Sequence, residues 1–192
     1  MREQVLLLGD EGVAVRSLVD GLERRRRKAR ASAVAALSED RYLTLVDRLE
    51  DPQPPPAASG VSPTLAELWW AEFVRTRRRF ERLDRKSSDD ELHAARIRVK
   101  RTRYAAELAA SELGVAGERF VEAAKLLQDV LGAHQDAFVA EQHIRAWSEG
   151  KTEAADDVRT LLKRERARRK SARAEWQQAW RLLERRARKA RP

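Results

Sequence analysis

The sequence predicts an all-α protein built as an antiparallel helical bundle, and three observations carry that prediction. Apolar residues recur at helical spacing along nearly the whole chain, no stretch alternates with the period of two that a half-buried strand needs, and the proline and glycine clusters fall where the helical pattern stops. With 42% hydrophobic residues the chain can build a core, so the 37% that are charged read as helix decoration and not as disorder.

After a short apolar piece from Val5 to Leu8, Gly9 to Gly12 make a turn, and a single helix is expected from about Val13 to Leu49. It stops at Asp51-Pro52-Gln53-Pro54-Pro55-Pro56, because proline lacks the N–H and pushes the residue before it out of the helical region. Residues 51–63 form the linker between two structural units. Thr64 caps a helix over Leu65 to Leu83, and Ser88 or Asp89 caps another over Glu91 to Leu113. Gly114 to Gly117 end it. A helix from Glu118 to Trp147, loosened at Gly132, closes at Gly150, and the last covers Ala154 to Lys189. The segments Leu22 to Leu49 and Leu161 to Leu183 both pass from basic to apolar, but no single register aligns them, so duplication is only faintly marked.

The 192 residues suit about one to one and a half domains. Zero cysteines exclude disulfides, thiolate metal sites and a thiol nucleophile, and fit a reducing, cytoplasmic setting. No apolar run approaches the roughly 20 residues of a membrane span, and no signal-peptide order is visible at the N-terminus. Forty Lys+Arg against 31 Asp+Glu give a net charge of +9. That charge is segregated: residues 159–192 hold 14 basic and 3 acidic side chains, and residues 92–106 hold 5 basic and none acidic. Residues 107–158, by contrast, hold 4 basic and 11 acidic. Cationic and anionic elements can therefore pair inside the fold and leave chosen basic faces for an anionic partner.

At about 100° per residue, His93, Arg96, Lys100, Arg103, Tyr104 and Glu107 share one quarter of a helix circumference. Ile97 and Leu108 flank this stripe on one side and Leu92, Val99 and Ala110 on the other, so its cations are expected between two apolar edges, with Arg98 and Arg101 solvated. Buried unpaired cations cost several kcal/mol. Either internal carboxylates or a multiply charged external anion must answer them, and Glu107 alone cannot neutralise three. Arg27, Arg30 and Arg41 fall on the apolar face of the first long helix with Val34, Leu37 and Leu45, and Arg169 and Arg173 sit with Trp176, Trp180 and Leu183 on the last. Three helices pointing basic groups toward core positions favour a cavity that holds a polyanion.

The run Leu92-His93-x-x-Arg96-Ile97-x-x-Lys100-Arg101-x-Arg103-Tyr104 resembles the signature of the CHAD (conserved histidine α-helical domain) family. About 20 residues later, Lys125-Leu126-Leu127-Gln128-Asp129-Val130-Leu131-Gly132-Ala133-His134-Gln135-Asp136 resembles that family's following segment. The resemblance implies a fold of two four-helix repeats, binding of inorganic polyphosphate along a basic groove or pore, and association with CYTH-type triphosphatases. By that likeness His93, Arg96, Lys100, Arg103 and Lys125 face phosphate, with Arg101 and Tyr104 beside them. The family's module holds the His-x-x-Arg element twice and this chain holds it once. Residues 1–50 accordingly read as the end of a first repeat and 64–192 as the second, an incomplete module: either the chain is a fragment or truncated form, or a second copy of it completes the missing half.

His134, Asp136 and His143 invite a metal reading, but only Asp136 and His143 share a face, seven residues apart, no third ligand falls in register with them, and an interhelical polar cluster is the better account. No metal or cofactor is expected. Gln128, Asp136 and Glu107 are expected to orient basic side chains. Trp69, Trp70, Trp147, Trp176 and Trp180 could stack on bases, yet the helical spacing of the last two with Leu183 favours core packing. No phosphate-cradling glycine motif, Ser/His/Asp order or carboxylate pair is present, so no catalysis is expected. The expected function is non-enzymatic polyphosphate binding in the cytoplasm, at polyphosphate granules. The alternatives are a nucleic-acid binder that grips phosphates without reading bases, and a scaffold whose basic stripes are internally paired.

Overall fold

The computed structural model describes residues 13–50, 62–149 and 155–192. The chain divides into two compact units, Met1–Val61 and Ser62–Pro192. The expected turn at Gly9 to Gly12, the proline run and Gly150 lie outside the described residues.

In the first unit, α1 spans Val13–Leu37 and α2 spans Asp40–Glu50, where one continuous helix was expected. The break falls at Ser38. Its hydroxyl donates to the Val34 carbonyl at 2.9 Å while its N–H reaches the carbonyls of Val34 and Ala35, a local closure with which serine competes against helix propagation. The chain re-enters a helix through Tyr42 N–H to Glu39 C=O at 2.9 Å, with Asp40 placed favourably in the first turn of α2.

The second unit holds α3 (Leu65–Phe80), α4 (Asp89–Leu108), α5 (Ala110–Ser148) and α6 (Ala155–Lys189), and no strand occurs among the described residues. Two capping boxes start α3 and α4. Thr64 Oγ1 accepts from Glu67 N–H at 3.1 Å while Glu67 accepts from Thr64 N–H at 2.8 Å; Ser88 and Glu91 repeat the exchange at 3.2 and 2.8 Å. The α3 helix ends at Phe80, short of Leu83. Helix α4 ends at Leu108, five residues before the expected Leu113, because Ala109 leaves helical geometry (φ −85°, ψ 11°). One turn follows, and at Gly114 (φ 53°, ψ −146°) the chain adopts a conformation open only to glycine before α5 continues. Gly132 stays helical.

Each helix packs on its neighbour in sequence, α3 on α4, α4 on α5 and α5 on α6, as short connections between antiparallel helices dictate. Rings close the bundle between α3 and α6: Trp180 stacks on Phe80 at 4.0 Å and on Phe73 at 6.2 Å. Trp69 meets Phe120 of α5 edge to face at 5.0 Å. Trp69, Phe73, Phe120, Leu92, Val99, Leu127, Leu131, Trp176 and Leu183 are all buried, so Trp176 and Trp180 serve the core, as their spacing indicated. Truncating one such aromatic to alanine costs about 3–5 kcal/mol. One polar contact sits among them, Thr76 Oγ1 to Thr102 Oγ1 at 2.6 Å.

Candidate functional site

Helix α4 buries Leu92, Ala95, Val99, Thr102 and Ala106, which fixes the direction of the stripe one face over. Only that edge is apolar and closed. Ile97 is 40% exposed and Leu108 73%, and Ala110 is exposed too, so the basic side chains do not lie between two buried edges. The stripe runs along the border of the bundle, with core on one side and open surface on the other.

Arg96 lies over bare helix backbone. A Cβ added to Gly132 of α5 would stand 3.6 Å from Arg96 Nε and 3.9 Å from Nη2. Arg96 Nε is buried and hydrogen-bonded to nothing among the described residues, as are His93 Nδ1 and Gln128 Nε2. Such orphaned donors are costly in a finished core and normal in a site awaiting an acceptor. Arg103 Nε stands 3.7 Å from Glu107, an ion pair but not a hydrogen bond. Lys100 and Arg103 flank the half-exposed Tyr104 ring at 5.6 and 4.8 Å from its centroid. Lys100, Arg101 and Lys125 are exposed and make no ion pair among the described residues. Arg98, expected in solvent, instead pairs with Glu72 of α3 at 3.0 Å.

One turn before His93 on the same face stands Asp89, the centre of a second cluster. Its Oδ1 is 3.1 Å from His134 Nε2 and 3.1 Å from Arg173 Nη1, and its Oδ2 is 3.4 Å from Arg169 Nη1. Arg169 Nη1 also reaches Glu141 at 3.4 Å, and Glu141 accepts from Arg145 at 2.7 Å and Arg166 at 3.0 Å. Burial pushes the His134 pKa down, Arg173 and Arg169 push the same way, and Asp89 opposes them without prevailing, so the ring is held neutral. For Glu141 burial pushes upward, but the bonds from Arg145 and Arg166 and the charge of Arg169 outweigh it, and the carboxyl lies below its ordinary range.

Arg169 and Arg173 are therefore held by carboxylates. The orienting role expected of Gln128 and Asp136 belongs to Asp89 and Glu141: Asp136 is exposed without a basic partner among the described residues, and Gln128 bonds no cation. Glu107 does stand beside Arg103. Asp89 was within reach of the helical wheel, one turn upstream on the stripe, and Glu141 lies two turns after His134 on one face of α5. Arg27, Arg30 and Arg41 are exposed in the first unit, and the break at Ser38 sets Arg41 on a different helix from the other two, so the common face drawn through a continuous helix does not exist. No cluster of three metal-binding side chains occurs among the described residues, and His134 is spent in the polar cluster.

The model of the CHAD domain matches residues 2–145 of this chain. The chain belongs to the CHAD-domain family. The two lengths of α4 and α5 that carry the stripe lie inside the match, whereas α6 of this CHAD chain, with Arg169 and Arg173, lies beyond it. Among curated relatives, two proteins of Mycobacterium tuberculosis, "Uncharacterized protein MT2285" (strain CDC 1551 / Oshkosh) and "Uncharacterized protein Rv2226" (strain ATCC 25618 / H37Rv), are each 27% identical over 185 residues. The alignment covers 91% of this CHAD chain and 35% of each relative, so the chain spans about a third of their length. No solved structure matches it. Among the described residues no helix is long and apolar enough to cross a membrane.

Proposed function

We propose that this CHAD domain is a non-enzymatic binder of inorganic polyphosphate, which lies along α4 against His93, Arg96, Lys100 and Arg103, with Lys125 of α5 and the exposed Arg101 and Tyr104 beside them. The observation that carries this reading is Arg96, whose buried Nε has no acceptor among the described residues while its guanidinium rests over Gly132. A phosphate oxygen supplies the missing acceptor, and the guanidinium fork suits it. From His93 to Arg103 the stripe runs about 15 Å along the helix, long enough for several phosphate units.

The test is a titration with polyphosphates of defined length at two salt concentrations. Affinity falls steeply with salt, because each contact releases condensed counterions. Replacing Arg96 and Lys100 together with Glu abolishes binding and leaves helical content intact. A double variant that still binds removes the stripe from the site; one that unfolds makes these side chains internal structural partners. The net +11 of residues 159–192, many of whose cations on α6 are exposed, supports a second reading in which nucleic acid is gripped by its backbone. Polyphosphate should displace bound RNA at matched phosphate concentration, and RNA that resists displacement favours the second reading. Completion of the module by a second copy, partnership with a CYTH-type triphosphatase and residence at cytoplasmic polyphosphate granules belong to the same proposal. A strictly monomeric mass by light scattering at high concentration would count against the second copy.

A further inference from the structure

Away from the orphaned donors of Arg96, five cations converge on a cleft of about 410 Å³ between the α3–α4 turn and α6: Lys86, Arg166, Arg169, Lys170 and Arg173. Among the described residues Asp89 is the only carboxylate in its lining. Ser87 and Ser88 also line it, but their hydroxyls are engaged with Asp84 and Glu91, so recognition there falls to charge.

The carboxylates of this cluster orient the arginines more than they neutralise them. Asp89 and Glu141 between them hold four guanidinium groups, those of Arg145, Arg166, Arg169 and Arg173, which leaves a surplus of positive charge. Arg169 meets the carboxylates through Nη1, and Arg173 meets Asp89 through Nη1 and the Arg85 carbonyl through Nε, so Nη2 of neither is spent on a carboxylate. Lys86 and Lys170 are exposed and make no ion pair among the described residues, although Lys86 stands close enough to Asp84 to help lower its pKa. Side chains fixed in advance lose little freedom when an anion arrives. The lining is confined to residues 86–89 and to about 10 Å of α6 between residues 166 and 173, a patch that fits a compact group and not a length of extended chain.

We propose that this cleft is a second, separate anion site, which takes a compact and multiply charged phosphate group: free pyrophosphate, or the terminal phosphate of a longer chain. It does not require that polyphosphate lie along α4.

Calorimetric titration of the full chain with pyrophosphate tests it, using Lys86→Ala/Lys170→Ala, which breaks no ion pair, and Arg96→Glu/Lys100→Glu. The wild type binds one pyrophosphate per chain, the lysine variant binds about tenfold more weakly, and the α4 variant binds as the wild type does. Unchanged binding in the lysine variant, loss of binding in an α4 variant whose helical content matches the wild type, or equal affinity for sulfate would each overturn the assignment. Competition with long chains distinguishes the sources. Displacement of pyrophosphate by free-ended but not end-blocked chains identifies a chain terminus, displacement by neither identifies a free anion, and displacement by both refutes a compact site. A chain that binds long polyphosphate but never pyrophosphate would sink this proposal and leave the α4 reading standing.

Discussion

Replacing Gly132 with alanine tests how Arg96 is held. The added methyl would sit 3.6 Å from Arg96 Nε and 3.9 Å from Nη2, ordinary contact distances that require nothing to move. Gly132 lies well inside α5, where glycine costs about 0.8–1.0 kcal/mol relative to alanine through its backbone freedom in the unfolded chain. With no clash to subtract, Gly132→Ala should stabilise the protein by about 0.4–1 kcal/mol. Urea denaturation followed by far-UV circular dichroism reads this as a raised midpoint at unchanged slope. Polyphosphate affinity should change little in the same variant, because the guanidinium stays in place. Gly132→Leu is the companion: its side chain must push Arg96 outward, at an overpacking cost of about 1–3 kcal/mol, and affinity should fall with it. If Gly132→Ala instead lowers stability by more than about 1 kcal/mol, α4 and α5 approach more closely than the Arg96 geometry allows, and the reasoning fails.

Thr102 donates to the Arg98 carbonyl at 3.1 Å, so Thr76 is the donor in the buried pair; Thr102→Val strands that hydroxyl and should cost about 1–3 kcal/mol, much of it recovered in Thr76→Val/Thr102→Val. A double-mutant cycle in urea measures the coupling, and strict additivity would refute it. Ser88→Ala removes the α4 cap and should cost about 1 kcal/mol, whereas Ser88→Asp should retain most of it, as thermal melts would show. The His134 pKa is depressed from 6.5, chiefly by burial and further by Arg173 and Arg169 against the opposing Asp89. The unfolded chain therefore takes up this proton first, and the contribution of His134 to stability is complete above pH 6.5 and is lost as pH falls below it. Denaturation midpoints should drop across that window in the wild type and flatten in His134→Gln; a wild-type midpoint that rises on acidification contradicts the assignment. Glu141, with its carboxyl held below 4.5, adds a separate loss only at lower pH.

Helical spacing and caps made much of this fold legible. Thr64 announced one helix and Ser88 or Asp89 the next, where the structure settles on Ser88 with Glu91 completing the cap, and Leu92 and Val99 announced the buried face of α4. The break at Ser38 was hidden because the apolar period runs straight through it, and the one at Ala109 because Ala-Ala carries no breaking signal. The site was half legible for a related reason. A helical wheel gives the direction in which a side chain leaves its own helix, which placed Arg96, Lys100 and Arg103 together. It does not give what a neighbouring helix brings to meet it. Ile97 and Leu108 therefore turned out exposed, the partners of Arg169 came from Asp89 and Glu141, 80 and 28 residues away in sequence, and that of Arg173 from Asp89, 84 residues away.

All five tryptophans lie in the second unit, at positions 69, 70, 147, 176 and 180, and Trp69 and Trp176 are enclosed by the bundle. Helices α1 and α2 have none, and Tyr42 is their sole aromatic residue. Indole emission is thus a built-in optical label for α3 to α6 that is blind to the first pair of helices, while ellipticity sees both. The gap between the two signals, followed through one unfolding curve, would reveal whether the halves melt together or in succession.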